Sequence, residues 1–286
     1  MGVKYAINCS IMFTELPLLE RPAAAKAAGF DAVEFWWPFP VAVPGDAEGT
    51  AFVRAVRDAD VQLIGLNFFA GDMPAGDRGL VSWPARKTEF RENLAAVVGI
   101  GDQLGCKAFN ALYGNRLPNV AEQDQDDLAV ENLALAGQAV SGIGGTVLVE
   151  PVSGSERYPL RIADDVIQVI DRVRLERGTQ NLGFLCDLYH LAVNGDDLDR
   201  VVTQYGDRIA HVQIADAPGR HEPGTGDLDL ARLVEEIHTH GYNGWTALEY
   251  KPSTTTADSL GWIAAPSCDA RVGASRRHGD DSRPDS

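Results

Sequence analysis

Residues 209–226, IAHVQIADAPGRHEPGTG, decide how the whole chain is read. The stretch opens with the two-residue alternation of a strand: His211, Gln213 and Ala215 share one face, Val212 and Ile214 the other. It then breaks into a loop rich in Pro and Gly that carries Asp216, Arg220, His221 and Glu222, and a helical pattern resumes near Asp229. A polar strand end spilling into a charged loop is where an α/β protein places its chemistry.

Working outward, the same unit recurs. On either side, TVLVEP (146–151), LGFLCD (182–187) and WTALEY (245–250) are short apolar runs that end on or next to a carboxylate. Further upstream, strands are expected over 5–10, 32–36, 61–69 and 108–111. Helical patterns fill the intervals at 16–28, 47–58, 84–104, 120–141, 162–173, 198–205 and 230–240, with a short last one at 257–263. The segment 188–195, LYHLAVNG, is left as a loop, and the Gly-rich loop 70–83 is long enough to serve as a functional lid. Eight apolar strands alternating with helices describe a single (β/α)8 TIM barrel over residues 1–265. A doubly wound sheet is the competing architecture for such alternation. Residues 266–286 turn polar and Gly/Pro/Ser-rich, and a disordered tail is expected there.

The 286 residues are 45% hydrophobic and 23% charged, which leaves ample material for a core. A net charge of −16 speaks against nucleic-acid and anionic-membrane partners, both of which need a basic face. Cys9, Cys106, Cys186 and Cys268 are widely spaced, so neither a zinc ribbon nor a disulfide framework is expected; Cys9, Cys106 and Cys186, in or beside apolar segments, are expected to be buried free thiols. With no signal-peptide pattern and no membrane-length apolar run, the expected location is cytoplasmic.

In a barrel of this kind the C-terminal strand ends converge on one mouth. Those ends supply Glu150, Asp187, Gln213 and Glu249 from four successive strands. A lone strand-end glutamate is usually solvated or ion-paired, but four such groups in one cavity are not. Three carboxylates and an amide oxygen crowded together repel one another unless a cation joins them, and all-oxygen ligation suits Mg²⁺ or Mn²⁺. His190, three residues after Asp187, is placed for a substrate hydrogen bond or for support of a ligand; a structural histidine is the plainer alternative. Arg220 is the first choice to hold a substrate carboxylate, against a simple pair with Asp216 or Glu222. Lys251 is a second candidate for that task, and Asn8 is a candidate lining residue.

At these residues the chain resembles the hydroxypyruvate isomerase family of the xylose-isomerase-like barrels. The likeness is carried by GFDAVEFWWP (29–38), GLNFFAGDMPAGDRG (65–79), VLVEPVSG (147–154), DLYH (187–190), HVQIADAPGRHEPGTG (211–226) and GWTALEYKP (244–252), and spans roughly residues 4–263. Related sugar epimerases typically carry His where Gln213 stands. The resemblance implies that Glu150 and Glu249 are proton donor and acceptor and also face the metal, with Asp187 and Gln213 completing its ligands. It implies a small hydroxy-oxo acid as substrate and is compatible with a homo-oligomer. The PVSG that follows Glu150 departs from relatives that carry Asn in that loop.

The chemistry implied is the interconversion of hydroxypyruvate and 2-hydroxy-3-oxopropanoate through an enediolate. Alternatives within the superfamily are a 2-oxo-tetronate isomerase and a ketose 3-epimerase. An apurinic-site nuclease would need a His-rich zinc cluster and a basic face, and this chain has six His and an acidic balance. A non-catalytic sugar-acid binder would tolerate the loss of one glutamate, and both are present.

Overall fold

A computed structural model describes residues 2–263. Its strands are β1 (Tyr5–Asn8), β2 (Ala32–Phe35), β3 (Gln62–Asn67), β4 (Ala108–Asn110), β5 (Thr146–Val149), β6 (Leu182–Asp187), β7 (Ile209–Ile214) and β8 (Thr246–Leu248). Each pairs in parallel with its sequence neighbours, and β8 returns to β1, closing the barrel in the order expected. The doubly wound alternative is excluded by that closure. Most strand residues are buried on both faces, so their runs are largely apolar rather than alternating, with a few polar members turned into the site.

The helices are α1 (Arg21–Ala27), α2 (Asp46–Asp58), α3 (Lys87–Leu104), α4 (Glu122–Ser141), α5 (Ala163–Arg177), α6 (Leu188–Val193), α7 (Leu198–Tyr205), α8 (Leu230–Thr239) and α9 (Thr256–Ser259). One was not anticipated. The LYHLAV segment read as loop forms α6, started by the Asp187 side chain, whose Oδ1 accepts from the His190 backbone N–H at 3.0 Å. The helix expected from residue 16 starts only at Arg21, after a 3-10 turn at Leu18–Glu20, with Pro22 fitting the first turn where its missing N–H costs nothing. Likewise the helix expected from residue 84 opens with a 3-10 turn, Pro84–Arg86.

The expected bounds of β5 and β8 were too long. Glu150 and Glu249 lie one residue beyond the strands, where the backbone leaves the ladder. Loop 70–83 is ordered: Asp77 pairs with Arg86 at 2.8 Å, Gly79 N–H donates to Ala70, and the Asn115 amide donates to Gly76. Gly79 is required there, since at φ +102° a Cβ would lie 1.9 Å from the Leu112 carbonyl oxygen. Cys9, Cys106 and Cys186 are buried free thiols, as expected. The proposed tail 266–286 and Cys268 lie outside the described residues. Among the described residues no helix is long and apolar enough to cross a membrane.

Candidate active site

A cavity of about 730 Å³ opens at the C-terminal ends of the strands and is lined in part by Glu150, Glu249, His190, Arg220 and Lys251. Its floor is a polar network inside the barrel. In register, Asn8 of β1 stands opposite Glu34 of β2, and Asp187 of β6 opposite Gln213 of β7. The Asn8 amide donates to Glu34 Oε1 and to Glu249 Oε2, both at 2.9 Å. The Gln213 amide donates to the same two oxygens, at 2.6 and 2.5 Å. Two carboxamides thus clamp two carboxylates. Asn8 Oδ1 accepts from Ser10 N–H at 2.9 Å, which fixes which way that amide faces. Rather than simply lining the pocket, Asn8 is spent on this clamp.

Glu34 was missed by the reading of strand ends. It is 3% exposed, and its second oxygen meets His211 Nε2 at 2.7 Å. Room for it comes from Gly65 on the neighbouring strand, where a Cβ would stand 3.1 Å from Glu34 Oε2. The available signal was the carboxylate within the otherwise apolar run AVEF, since an unpaired charge is not left inside a barrel. Asn110, at the end of β4, was also missed; its amide donates to Glu150 Oε1 at 2.6 Å.

Arg220 pairs with neither Asp216 nor Glu222. Its Nη2 donates to Glu249 Oε1, and the guanidinium lies 5.3 Å from the centre of the Tyr189 ring, a cation–π arrangement. Burial opposes its charge, but Glu249, Asp187 and Glu150 outweigh that and hold its pKa above the usual value. Asp216 organises the loop instead: it is fully buried and accepts from the backbone N–H groups of Ala217, Gly224 and Leu228. Arg220 itself sits at φ +59°, a left-handed conformation costing a non-glycine residue roughly 1–2 kcal/mol. Glu222 accepts from Ser253.

His190 is 6% exposed and lines the cavity; Ser153 Oγ lies 2.7 Å from its Nδ1, and its Nε2 is 3.7 Å from Asp187 Oδ2. Ser153 belongs to the PVSG departure, so that loop supports His190. Burial drives the His190 pKa down to about 4, with Asp187 opposing. Lys251 is exposed at the mouth. For Glu150, burial first and the Asp187 charge second push the carboxyl up to about 8, against the Asn110 hydrogen bond. Burial likewise raises Glu249 well above the carboxylate range, with Arg220 opposing.

The residues fit a divalent cation. Glu150, Asp187 and His190 bring ligand atoms within 4.8 Å of one another. Gln213 spends its amide hydrogens on Glu34 and Glu249, so its Oε1 is left buried with no hydrogen-bond partner among the described residues, as is Asn110 Oδ1. A buried oxygen without a donor beside several carboxylates is what a cation satisfies. Both oxygens of Glu249 already accept from Arg220, Asn8 and Gln213, whereas His190 stands with Glu150 and Asp187.

A family model described as Xylose isomerase-like TIM barrel matches residues 22–265. A Streptomyces coelicolor protein named "Putative hydroxypyruvate isomerase" is 50% identical over 273 residues, covering 94% of this chain and 98% of the relative. The Escherichia coli hydroxypyruvate isomerase is 34% identical, covering 91% and 98%. A Cupriavidus necator 2-oxo-tetronate isomerase is also 34% identical, covering 91% and 97%. Among solved structures, one titled AP endonuclease, family 2, from Brucella melitensis superposes with a TM-score of 0.83 at 31% identity, covering 92% of this chain and 98% of that one. With a closed eight-stranded parallel barrel, a family match over most of its length and relatives of this identity, the chain belongs to the xylose isomerase-like TIM barrel family.

Proposed function

We propose that this protein is an isomerase interconverting hydroxypyruvate and 2-hydroxy-3-oxopropanoate, with Glu150 and Glu249 carrying the proton. One observation carries the reading: two buried glutamates, from β5 and β8, line one cavity and have different partners. The reaction moves hydrogen between adjacent carbons. One carboxylate takes a proton from C3, giving an enediolate; the other, in its acid form, delivers a proton to C2, and the hydroxyl proton on O3 passes to O2. Burial makes the acid form accessible near neutrality, as the raised Glu150 pKa illustrates. The hydrogen bonds from Asn8, Gln213 and Arg220 hold Glu249 in one position, so little reorganisation is needed at the moment of transfer.

Glu150, Asp187, Gln213 and Glu249, with His190 beside them, would hold a Mg²⁺ or Mn²⁺, which would supply charge stabilisation for oxygens that become negative during the reaction. The AP endonuclease title does not transfer. Among the described residues the histidines near the carboxylates are His190 and His211, and the chain's −16 charge is repelled by DNA. A four-carbon 2-oxo-tetronate is the second reading, supported by the 34% identical Cupriavidus necator relative of that name, and the cavity of about 730 Å³ admits either acid. The test is proton exchange in D₂O, followed by NMR, with hydroxypyruvate, 2-oxo-tetronates and a ketose in parallel. Deuterium entering hydroxypyruvate fastest supports the first reading; exchange confined to the tetronate favours the second; exchange of neither acid refutes both.

A further inference from the structure

Four carboxyl groups, Glu34, Glu150, Asp187 and Glu249, are buried beneath the cavity. Even with one divalent cation among them they offer little net positive charge to a substrate carboxylate, which is better matched by a cationic side chain on the cavity wall. Arg220, the cation nearest the glutamates, is already engaged by Glu249 and stacked on Tyr189. The two other cations lining the cavity are Arg78 and Lys251, and among the described residues neither makes an ion pair.

These two differ in how they are held. Lys251 is an exposed four-carbon chain. Arg78 is half-buried, and its Nη1 donates to the backbone carbonyls of Met73 at 3.0 Å and Asp77 at 2.7 Å. Those bonds are neutral acceptors, so they fix the guanidinium without cancelling its charge. Its Nε and Nη2 make no hydrogen bond among the described residues, leaving one edge of the fork for a bidentate acceptor. The carrier loop is itself anchored by the Asp77–Arg86 pair and by Gly79, packed against Leu112. A pre-positioned guanidinium loses less freedom on binding than a mobile lysine.

We propose that Arg78 holds the substrate's carboxylate and so selects hydroxy and oxo acids over neutral polyols and sugars. The assignment rests on the reading of the substrate as such an acid, and it moves the carboxylate-holding role from Arg220 to the opposite side of the mouth.

The experiment measures binding of D-glycerate, a hydroxy acid without a carbonyl, and of D-glyceramide, its neutral counterpart, to the full chain at fixed Mg²⁺. Wild-type protein is expected to prefer the acid, and Arg78→Met to lose roughly 10- to 100-fold in acid affinity with little change for the amide. Arg78→Lys should recover part of the preference, and Lys251→Met should cost less than about threefold. A preference for the acid that persists in Arg78→Met, or no preference in wild type, overturns the assignment. Exchange of hydroxypyruvate protons in D₂O on the same samples separates the two readings. Arg78-dependent binding without exchange in wild type leaves the assignment standing and removes the isomerase. Exchange together with an unmoved preference in Arg78→Met does the reverse.

Discussion

Glu150 and Glu249 are the same residue type, each one position past its strand, yet the barrel treats them differently. Among the described residues the Glu249 carboxylate accepts from three side chains, one of them a guanidinium. Among the same residues the Glu150 carboxylate accepts from the Asn110 amide alone, and it stands beside the like-charged Asp187. Burial raises the pKa of both groups, but three protein donors fix the position of one, while the other has a single amide and a neighbouring carboxylate and so more room for a cation. Position along a strand selects which residues reach the mouth, and the neighbouring strands decide what each one becomes.

The sharpest way to break this comparison is to neutralise each glutamate in turn. Glu150→Gln and Glu249→Gln should each lower kcat by roughly 10²-fold or more, with an unchanged circular-dichroism spectrum. Near-wild-type turnover in either variant would take that residue out of the proton path. Cation binding should then separate the pair. Mg²⁺ or Mn²⁺ at about 100 times its Kd should stabilise the protein by about 2.7 kcal/mol in thermal denaturation. Glu150→Gln should abolish most of that gain. No stabilisation of wild type by either ion would leave the unpaired Gln213 oxygen without its proposed partner.

The Glu249 side depends on Glu34, whose Oε1 accepts from the same two amides. Glu34→Ala should cost roughly 2 kcal/mol in urea denaturation, because Asn8, Gln213 and His211 each lose a buried acceptor. It should also slow turnover about tenfold by loosening Glu249. Stability equal to wild type would mean that relief of charge crowding outweighs the lost bonds. The smallest effect is expected at Tyr189, beneath Arg220. Tyr189→Leu should remove roughly 0.5–2 kcal/mol of cation–π stabilisation, read as a fall of up to about tenfold in kcat/KM. A variant with unchanged kinetics would show that Glu249 alone holds the guanidinium in place.

Much of this molecule was legible in its sequence. Apolar runs such as TVLVEP and LGFLCD, each separated by a helical pattern, have few solutions other than a closed parallel barrel. The turn from strand to loop marks the mouth in the sequence itself, so Glu150, Asp187, Gln213 and Glu249 could be collected without coordinates. These readings rest on the two-residue period of strands and on chain order, both local properties.

Tertiary structure alone decided the partnerships. Glu34 reaches His211 and Gln213, and Asn8 reaches Glu249, across separations that only closure of β8 onto β1 makes short. Arg220 turned from Asp216 and Glu222, its neighbours in sequence, to Glu249, because the buried Asp216 carboxylate is consumed by backbone N–H groups of its own loop. Arg78, one of two cavity-lining cations without an ion pair among the described residues, lies in a loop whose sequence suggested only a lid. Sequence determines which groups the strands deliver to one end of a barrel. How those groups share charge depends on which side chains meet across its interior, and that is set by closure and register rather than by any local pattern.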